Sequence, residues 1–133
     1  MGTVVRIPFE VTGWEPEPLE LGEQPGPVTF GRVTLRKTFS GPLTGTGVVA
    51  MTSAALGEAP VGYVAVELVT GTLDGRDGSF VLQHTGGVDG ERSSASGVVL
   101  PGTGTGALEG LRGEMTISHD ESGAVLTLDY ELP

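Results

Sequence analysis

Apolar and polar residues alternate along most of this chain with a period of two. In the first run, Val5, Ile7 and Phe9 fall on one face and polar residues separate them. Such alternation, rich in β-branched residues, is typical of half-buried strands. A short helical turn over residues 52–58 is the most helix that the pattern allows. The predicted strands are Val4–Trp14, Val28–Phe39, Gly47–Ala55, Gly62–Thr72, Ser79–Val88, Ala95–Leu100, Glu114–His119 and Ala124–Leu132.

These strands predict an all-β fold in which a single domain spans residues 1–133. Eight short strands favour a closed antiparallel barrel of the lipocalin-like kind, because closure removes the unpaired edges of a sheet. Turns are indicated by the pattern [ST]-G-x-L-x-G, which occurs at residues 40–45, 70–75 and 105–110. The proline-rich segment 15–27 is predicted to be a long loop.

Composition narrows the possible partners. The chain has 17 Asp and Glu residues against 7 Lys and Arg residues, and its net charge is −10. A surface this acidic repels phosphate backbones and anionic lipids, so we expect neither nucleic-acid nor membrane binding. The chain lacks cysteine, which excludes disulfides and fits a reducing compartment. No signal peptide or bilayer-spanning run is evident, so we expect a cytoplasmic protein.

Common cofactor and metal motifs are missing from the sequence. The glycine-rich stretch at residues 102–110 lacks the Lys-Ser/Thr pair of a phosphate-binding loop. The two histidines, His84 and His119, have no ligand partners at the spacing of a zinc site. We therefore predict no metal and no cofactor.

The candidate chemistry lies in one predicted hairpin. If residues 74–77 form its turn, the numbers of paired residues sum to 151, and Glu67 lies opposite His84 on the inner face. A carboxylate and an imidazole in apolar surroundings can be tuned toward neutral pKa values, which predicts a catalytic acid–base pair. A ligand contact and a structural ion pair remain open alternatives. A bulge would instead place Glu67 opposite Gln83 or Thr85.

Several large side chains are available to line a pocket. Trp14, at the edge of the proline-rich segment, is the preferred ligand contact. Alternation directs one of Arg36 and Lys37 inward, where it either reaches solvent or pairs with Glu67 or Glu109. The predicted ligand-binding residues are Trp14, Met51, Tyr63, Phe80, Gln83 and Tyr130.

Two segments resemble the signatures of a bacterial family of unknown function whose members are similar to allene oxide cyclase in fold. The segments are residues 63–86, which contain TGTLDGRDGSF, and residues 102–113, GTGTGALEGLRG; residues 14–15 and 128–132 agree as well. The resemblance implies an eight-stranded antiparallel barrel with a central cavity, associated as a dimer or a higher homo-oligomer.

Relatives of that barrel include cyclases of lipid epoxides and cyclising enzymes of polyketide pathways. The predicted function is therefore the binding of a small apolar molecule, with cofactor-independent isomerisation or cyclisation of that molecule. A carrier or sensor of such a ligand, and a structural oligomer, are the alternatives. Fold kinship alone carries no mechanism.

Overall fold

The computed structural model describes residues 2–23, 26–89 and 92–133. Within these residues the chain forms eight strands and one short 3-10 helix. The strands are β1 (Thr3–Pro18), β2 (Val28–Phe39), β3 (Leu43–Leu56), β4 (Ala59–Leu73), β5 (Arg76–Asp89), β6 (Arg92–Val99), β7 (Arg112–Asp120) and β8 (Gly123–Glu131), and the helix is Gly106–Leu108.

The strands form a closed antiparallel barrel. Each strand pairs with the next one along the chain, and β8 returns to pair with β1, so that Ile7 lies opposite Leu126. The apolar residues of the first run, Ile7 and Phe9, point inward as their alternation requires. The predicted all-β fold and closed eight-stranded barrel are therefore confirmed.

The loop within the proline-rich segment begins later than predicted. Residues 15–18 continue β1 and pair with β2, while residues 24 and 25 of the predicted loop lie outside the described residues. Pro16 and Pro18 fit into the strand because β1 pairs with β8 only over Thr3–Phe9. Beyond that point one side of β1 is an edge, where a missing N–H group is tolerated.

One further local prediction was wrong. The segment predicted as a helical turn, residues 52–58, continues β3 to Leu56 and ends in a turn. Its backbone groups pair with both β2 and β4, which outweighs any local helical preference. The short 3-10 helix Gly106–Leu108 lies inside residues 105–110, which were predicted as a turn; Gly106 and Gly110 there have φ values of 59° and 88°, which suit a turn.

The hairpin between β4 and β5 has a tighter turn than predicted. Leu73 pairs with Arg76, so the turn is Asp74–Gly75 and paired residue numbers sum to 149, not 151. Asp74 and Gly75 have φ values of 47° and 82°, and Asp-Gly is a favoured sequence for such two-residue turns. The shift of two residues keeps every side chain on its predicted face.

The two ends of the barrel differ. At the closed end, which carries the Asp74–Gly75 turn, the segment after β6 folds across the interior and buries Leu108 and Leu111 completely. Phe39 and Phe80 fill the space beneath them. The interior at this end is packed by side chains, so the predicted central space lies instead toward the opposite, open end.

Candidate functional site

A pocket of about 620 Å³ occupies the open end of the barrel. Apolar side chains from several strands form most of its wall, and serines and a carboxylate lie among them. Its lining residues are Trp14, Val33, Met51, Ser53, Glu58, Pro60, Gly62, Tyr63, Gly86, Gly87, Val88, Ser93, Ser94, Ala95, Ile117, Ser118 and His119.

Below this pocket, four polar side chains are joined by hydrogen bonds: Tyr63, His84, Glu67 and Lys37, here called the polar cluster. The Tyr63 hydroxyl lies 2.9 Å from Nδ1 of His84. Nε2 of His84 lies 3.0 Å from Oε1 of Glu67, and Nζ of Lys37 lies 3.2 Å from the same oxygen. Glu67, His84 and Lys37 are 0%, 2% and 5% exposed. Tyr63 is the member that lines the pocket.

The β4–β5 register explains how the cluster assembles. Inward positions recur at every second residue of β4, which places Tyr63 and Glu67 on the interior face. His84 lies opposite Ala65, and Glu67 lies opposite Leu82. Glu67 and His84 therefore meet diagonally across two strands rather than directly. The small side chain of Ala65 leaves space for this diagonal contact.

Glycines make room for two members of the cluster. A Cβ atom at Gly86 would lie 2.3 Å from Cε1 of Tyr63, so the ring rests on bare backbone there. A Cβ atom at Gly47 would lie 2.4 Å from Oε2 of Glu67. That oxygen has no hydrogen-bond partner among the described residues. The positions of the Tyr63 ring and the Glu67 carboxylate thus depend on glycine at positions 86 and 47.

Lys37 is held in the barrel by two contacts. Besides its bond to Glu67, its ammonium group lies 4.3 Å from the centre of the Phe9 ring, a distance at which cation and aromatic face attract each other. Its neighbour along β2, Arg36, points outward and forms an exposed ion pair with Glu15. Of the two basic residues, Lys37 is thus the one directed inward, and it pairs with Glu67 rather than Glu109.

Electrostatics keep Glu67 ionised. Burial by itself raises the pKa of Glu67, but the hydrogen bond from His84 and the positive charge and hydrogen bond of Lys37 outweigh it and hold the pKa below its ordinary value. An ionised carboxylate only accepts hydrogen bonds, so Nε2–H of His84 donates to Oε1. In a neutral imidazole this leaves Nδ1 as an acceptor for the Tyr63 hydroxyl.

Tyr63 is a neutral phenol. Burial first, and then the negative charge of Glu67, raise the pKa of Tyr63 above its ordinary value. The Tyr63 and His84 rings also meet edge to face, with centroids 5.5 Å apart. The cluster therefore joins the protonated hydroxyl of a pocket-lining residue to a buried imidazole and a buried carboxylate.

The predicted ligand residues separate into three groups. Trp14, Met51 and Tyr63 do line the pocket. Phe80 and Tyr130 are buried in the packed core of the closed end, away from the pocket, and Tyr130 donates a hydrogen bond to the Asp74 carboxylate. The prediction that these two contact a ligand finds no support in their positions.

The prediction that Gln83 contacts a ligand in the pocket is wrong. Gln83 is exposed on the outer wall, because odd-numbered residues of β5 point outward and His84 points inward.

Trp14 reaches the pocket for a reason that strict alternation conceals. The pairing of β1 with β2 shifts between Val11 and Gly13, and this bulge turns the following residue, Trp14, onto the inner side opposite Leu35.

Sequence reasoning did not include Lys37 among the site residues. The signal was present, because Lys37 alternates with Val33, Leu35 and Phe39, all of which are buried. A charged residue in an inward position of an apolar strand needs a buried partner of opposite charge. Glu67 was the candidate carboxylate for that partnership.

No cluster of three or more His, Cys, Asp or Glu side chains in the described ranges is arranged to hold a metal ion. Across those same ranges, no helix has the length and apolar character needed to cross a bilayer.

Comparison with known proteins points to one family. The family model described as "Protein of unknown function (DUF3224)" matches residues 6–132. A crystal structure of a DUF3224 protein of unknown function from Shewanella oneidensis MR-1 is similar to this chain, with 36% sequence identity and a TM-score of 0.88. The match covers 100% of this chain and 98% of that one. No curated protein matches the sequence.

Proposed function

Because this chain belongs to the DUF3224 family, whose description assigns no activity, we propose a function from the site itself. The protein binds a small, largely apolar organic molecule in its open-end pocket and isomerises or cyclises it by proton transfer through Tyr63. The observation that carries the proposal is the unbroken set of hydrogen bonds from the pocket-lining Tyr63 through His84 to the buried Glu67.

The pocket supports the binding half of the proposal. Its volume of about 620 Å³ lies within the range of about 300–1,000 Å³ that small-molecule sites occupy. Trp14, Met51 and Val33 supply apolar surface, and Tyr63, whose hydroxyl is bonded to His84, also lines the pocket. Such a lining, with serines, Glu58 and His119 among its apolar side chains, suits a largely apolar molecule that carries hydrogen-bonding groups.

The hydrogen-bond directions support the proton transfer. Tyr63 takes a proton from the bound molecule while its own proton passes to Nδ1 of His84. The imidazolium formed lies beside the ionised Glu67, which stabilises it as a carboxylate does in a nucleophile–His–carboxylate triad. The reverse transfer returns a proton to a different atom of the molecule. The product is an isomer, and no electrons are exchanged.

This sequence of steps gives Glu67 and His84 a role different from the predicted one. Both are buried behind Tyr63, so they act on the ligand through the phenol. The cyclase or isomerase class is also what kinship with allene oxide cyclases would imply, and that kinship remains a prediction. Lys37 is a positioning residue, because it helps to keep Glu67 ionised.

Binding can be measured first. N-phenyl-1-naphthylamine is an uncharged fluorescent probe, and Trp14 is the only tryptophan in the chain. We expect the probe to bind with energy transfer from Trp14, and we expect Met51→Arg, which places a charge in the pocket wall, to weaken binding at least tenfold. Absence of any saturable binding would contradict the proposal as a whole.

Proton transfer can then be tested on 2-tetralone, an uncharged bicyclic ketone with acidic C–H bonds. We expect the protein to accelerate deuterium uptake at these bonds in D2O, measured by NMR. General acid–base groups typically contribute about 10²–10⁴-fold, so Tyr63→Phe and His84→Gln should each reduce the acceleration at least about 100-fold. Tyr130→Phe is the matched control, because the same change occurs in the closed end.

The outcomes separate the candidate functions. Binding together with exchange that needs Tyr63 supports the enzyme. Binding without exchange above the buffer rate would support the carrier. The structural feature that favours a carrier is the burial of Glu67 and His84 behind Tyr63. Exchange that survives unchanged in folded Tyr63→Phe protein would refute the role of the polar cluster.

A further inference from the structure

The outer wall of the barrel contains a broad region without charge. On β3, β4, β5 and β6, the outward side chains between the strand ends are aliphatic, hydroxyl or amide. We call this region the uncharged face. Its members are Thr44, Thr46, Val48, Ala50 and Thr52 on β3; Val64, Val66, Leu68 and Thr70 on β4; Ser79, Val81, Gln83 and Thr85 on β5; and Ser96 and Val98 on β6.

The centre of the uncharged face is apolar and exposed. Val64, Val66 and Leu68 follow each other along β4 and are 58%, 46% and 50% exposed. On either side, Ala50 lies opposite Val66 and Val81 lies opposite Leu68. Isolated exposed valines are ordinary on a protein surface, but a contiguous patch on adjacent strands indicates an interaction surface.

We propose that the uncharged face is the interface with a second copy of this chain. The protein carries a net charge of −10, so two copies repel each other wherever acidic surfaces meet. In a two-fold symmetric interface, residues near the axis lie close to the same residues of the partner. An axis that passes near Val66 brings aliphatic groups together and no like charges.

The charge distribution favours a second copy over a basic partner. A basic protein would gain most from the acidic parts of this surface and least from the region that lacks carboxylates. A second copy, which is equally acidic, has the opposite preference.

The area of the uncharged face sets the expected strength of the dimer. The face spans nine residues of β3, seven each of β4 and β5 and three of β6. At about 3.3 Å per residue and about 4.8 Å between strands, it covers roughly 410 Å². Two copies would then bury about 820 Å², which lies in the range of weak, transient interfaces below ~1,200 Å². We therefore expect a weak dimer that forms at high concentration and dissociates on dilution.

The test is sedimentation velocity over a range of concentrations. Val66→Glu places two carboxylates near the axis and should raise the dimer dissociation constant at least 100-fold. The matched control is Val4→Glu, which adds the same charge at a valine that is 62% exposed on β1; it should leave the dimer intact. An equimolar mixture of Val66→Glu and Val66→Lys proteins should recover the dimer, because residue 66 then meets its opposite charge.

Several outcomes would overturn the proposal. A wild-type protein that stays monomeric at millimolar concentration has no such interface. Equal weakening by Val66→Glu and Val4→Glu would indicate a general effect of charge, and no weakening by Val66→Glu would place the interface elsewhere. Far-UV circular dichroism checks that the variants fold, and Leu68→Lys repeats the test should Val66→Glu fail to fold.

Discussion

Replacing Lys37 with methionine leaves the Glu67 carboxylate buried without its cation. The Lys37 and Glu67 charges are 3.2 Å apart, and the side chains are 5% and 0% exposed. At an effective dielectric constant of about 20, that separation corresponds to roughly 5 kcal/mol of attraction. Removing one partner of a buried pair typically costs about 3–5 kcal/mol. Because His84 still donates to Glu67, we expect the lower end, about 3 kcal/mol.

The assay is urea denaturation followed by far-UV circular dichroism at neutral pH. A loss of about 3 kcal/mol is a large part of the 5–15 kcal/mol that typically holds a domain folded, and it should lower the melting temperature by about 10 °C. Glu67→Gln should lower the free energy of unfolding by a similar amount, because it leaves the buried Lys37 ammonium group without its carboxylate partner. The double variant Lys37→Met, Glu67→Gln should cost less than either single variant, since it leaves no unpaired charge.

A matched control lies one residue away. Arg36 and Glu15 form an ion pair of similar length, 3.1 Å, whose side chains are 52% and 60% exposed. Solvent screens such pairs, so Arg36→Met should cost less than about 1 kcal/mol. The reasoning would be refuted by a Lys37→Met cost as small as that of Arg36→Met, or by a double variant whose cost equals the sum of the single costs.

Three further predictions concern other parts of the cluster and the closed end. The pKa of Glu67 lies below its ordinary value of 4.5, so its contribution to stability is present above pH 4.5 and is lost as the pH falls through the lowered value; unfolding at acid pH should be less steep in Glu67→Gln. Gly86→Ala should displace the Tyr63 ring and destabilise the fold by about 1–3 kcal/mol, whereas Gly87→Ala, whose added carbon meets nothing closer than 3.8 Å, should not lower the melting temperature comparably. Burial, together with the hydrogen bond and charge of a neighbouring carboxylate, raises the pKa of Tyr130 to about 12 from 10.0. The contribution of Tyr130 to the free energy of unfolding is therefore fully present below pH 10 and is lost as the pH rises through about 12. In that pH range the wild-type protein should lose more stability than Tyr130→Phe.

The barrel itself could be predicted from the sequence because inward and outward residues alternate along the strands. Inward positions such as Ile7 and Leu126 are apolar, and closure follows from the need to pair the edges. The limits of strands were harder to predict. Pro16 and Pro18 suggest a loop locally, and only the pairing of β1 with β2 shows that their strand continues.

The site was predictable in its residues and not in its geometry. Alternation identified Glu67 and His84 as inward residues, and the β4–β5 hairpin joined them. Their diagonal arrangement follows from the two-residue Asp74–Gly75 turn. Asp-Gly favours such a turn, and the prediction of a four-residue turn overlooked that signal. The position of Trp14 depends on a bulge, and bulges arise from the pairing of two strands rather than from one strand's pattern.

The place of Tyr63 between the pocket and the buried pair required the full set of packing contacts. Its ring occupies space that Gly86 leaves open, and its hydroxyl reaches His84 from that position. Neither relation is visible in the spacing of the residues. The sequence therefore indicated a buried acid–base pair, and three-dimensional packing showed which side chain connects that pair to the pocket.

The way the barrel closes has a consequence for how the chain folds. Most neighbouring strands form hairpins whose partners are close in sequence, but β1 and β8 bring together Thr3 and Tyr130, from opposite ends of the chain. Closing a longer loop costs more entropy, and pairings of high sequence separation slow folding. Folding should therefore be limited by this final ladder, and until it forms the nascent sheet exposes two free edges to other molecules.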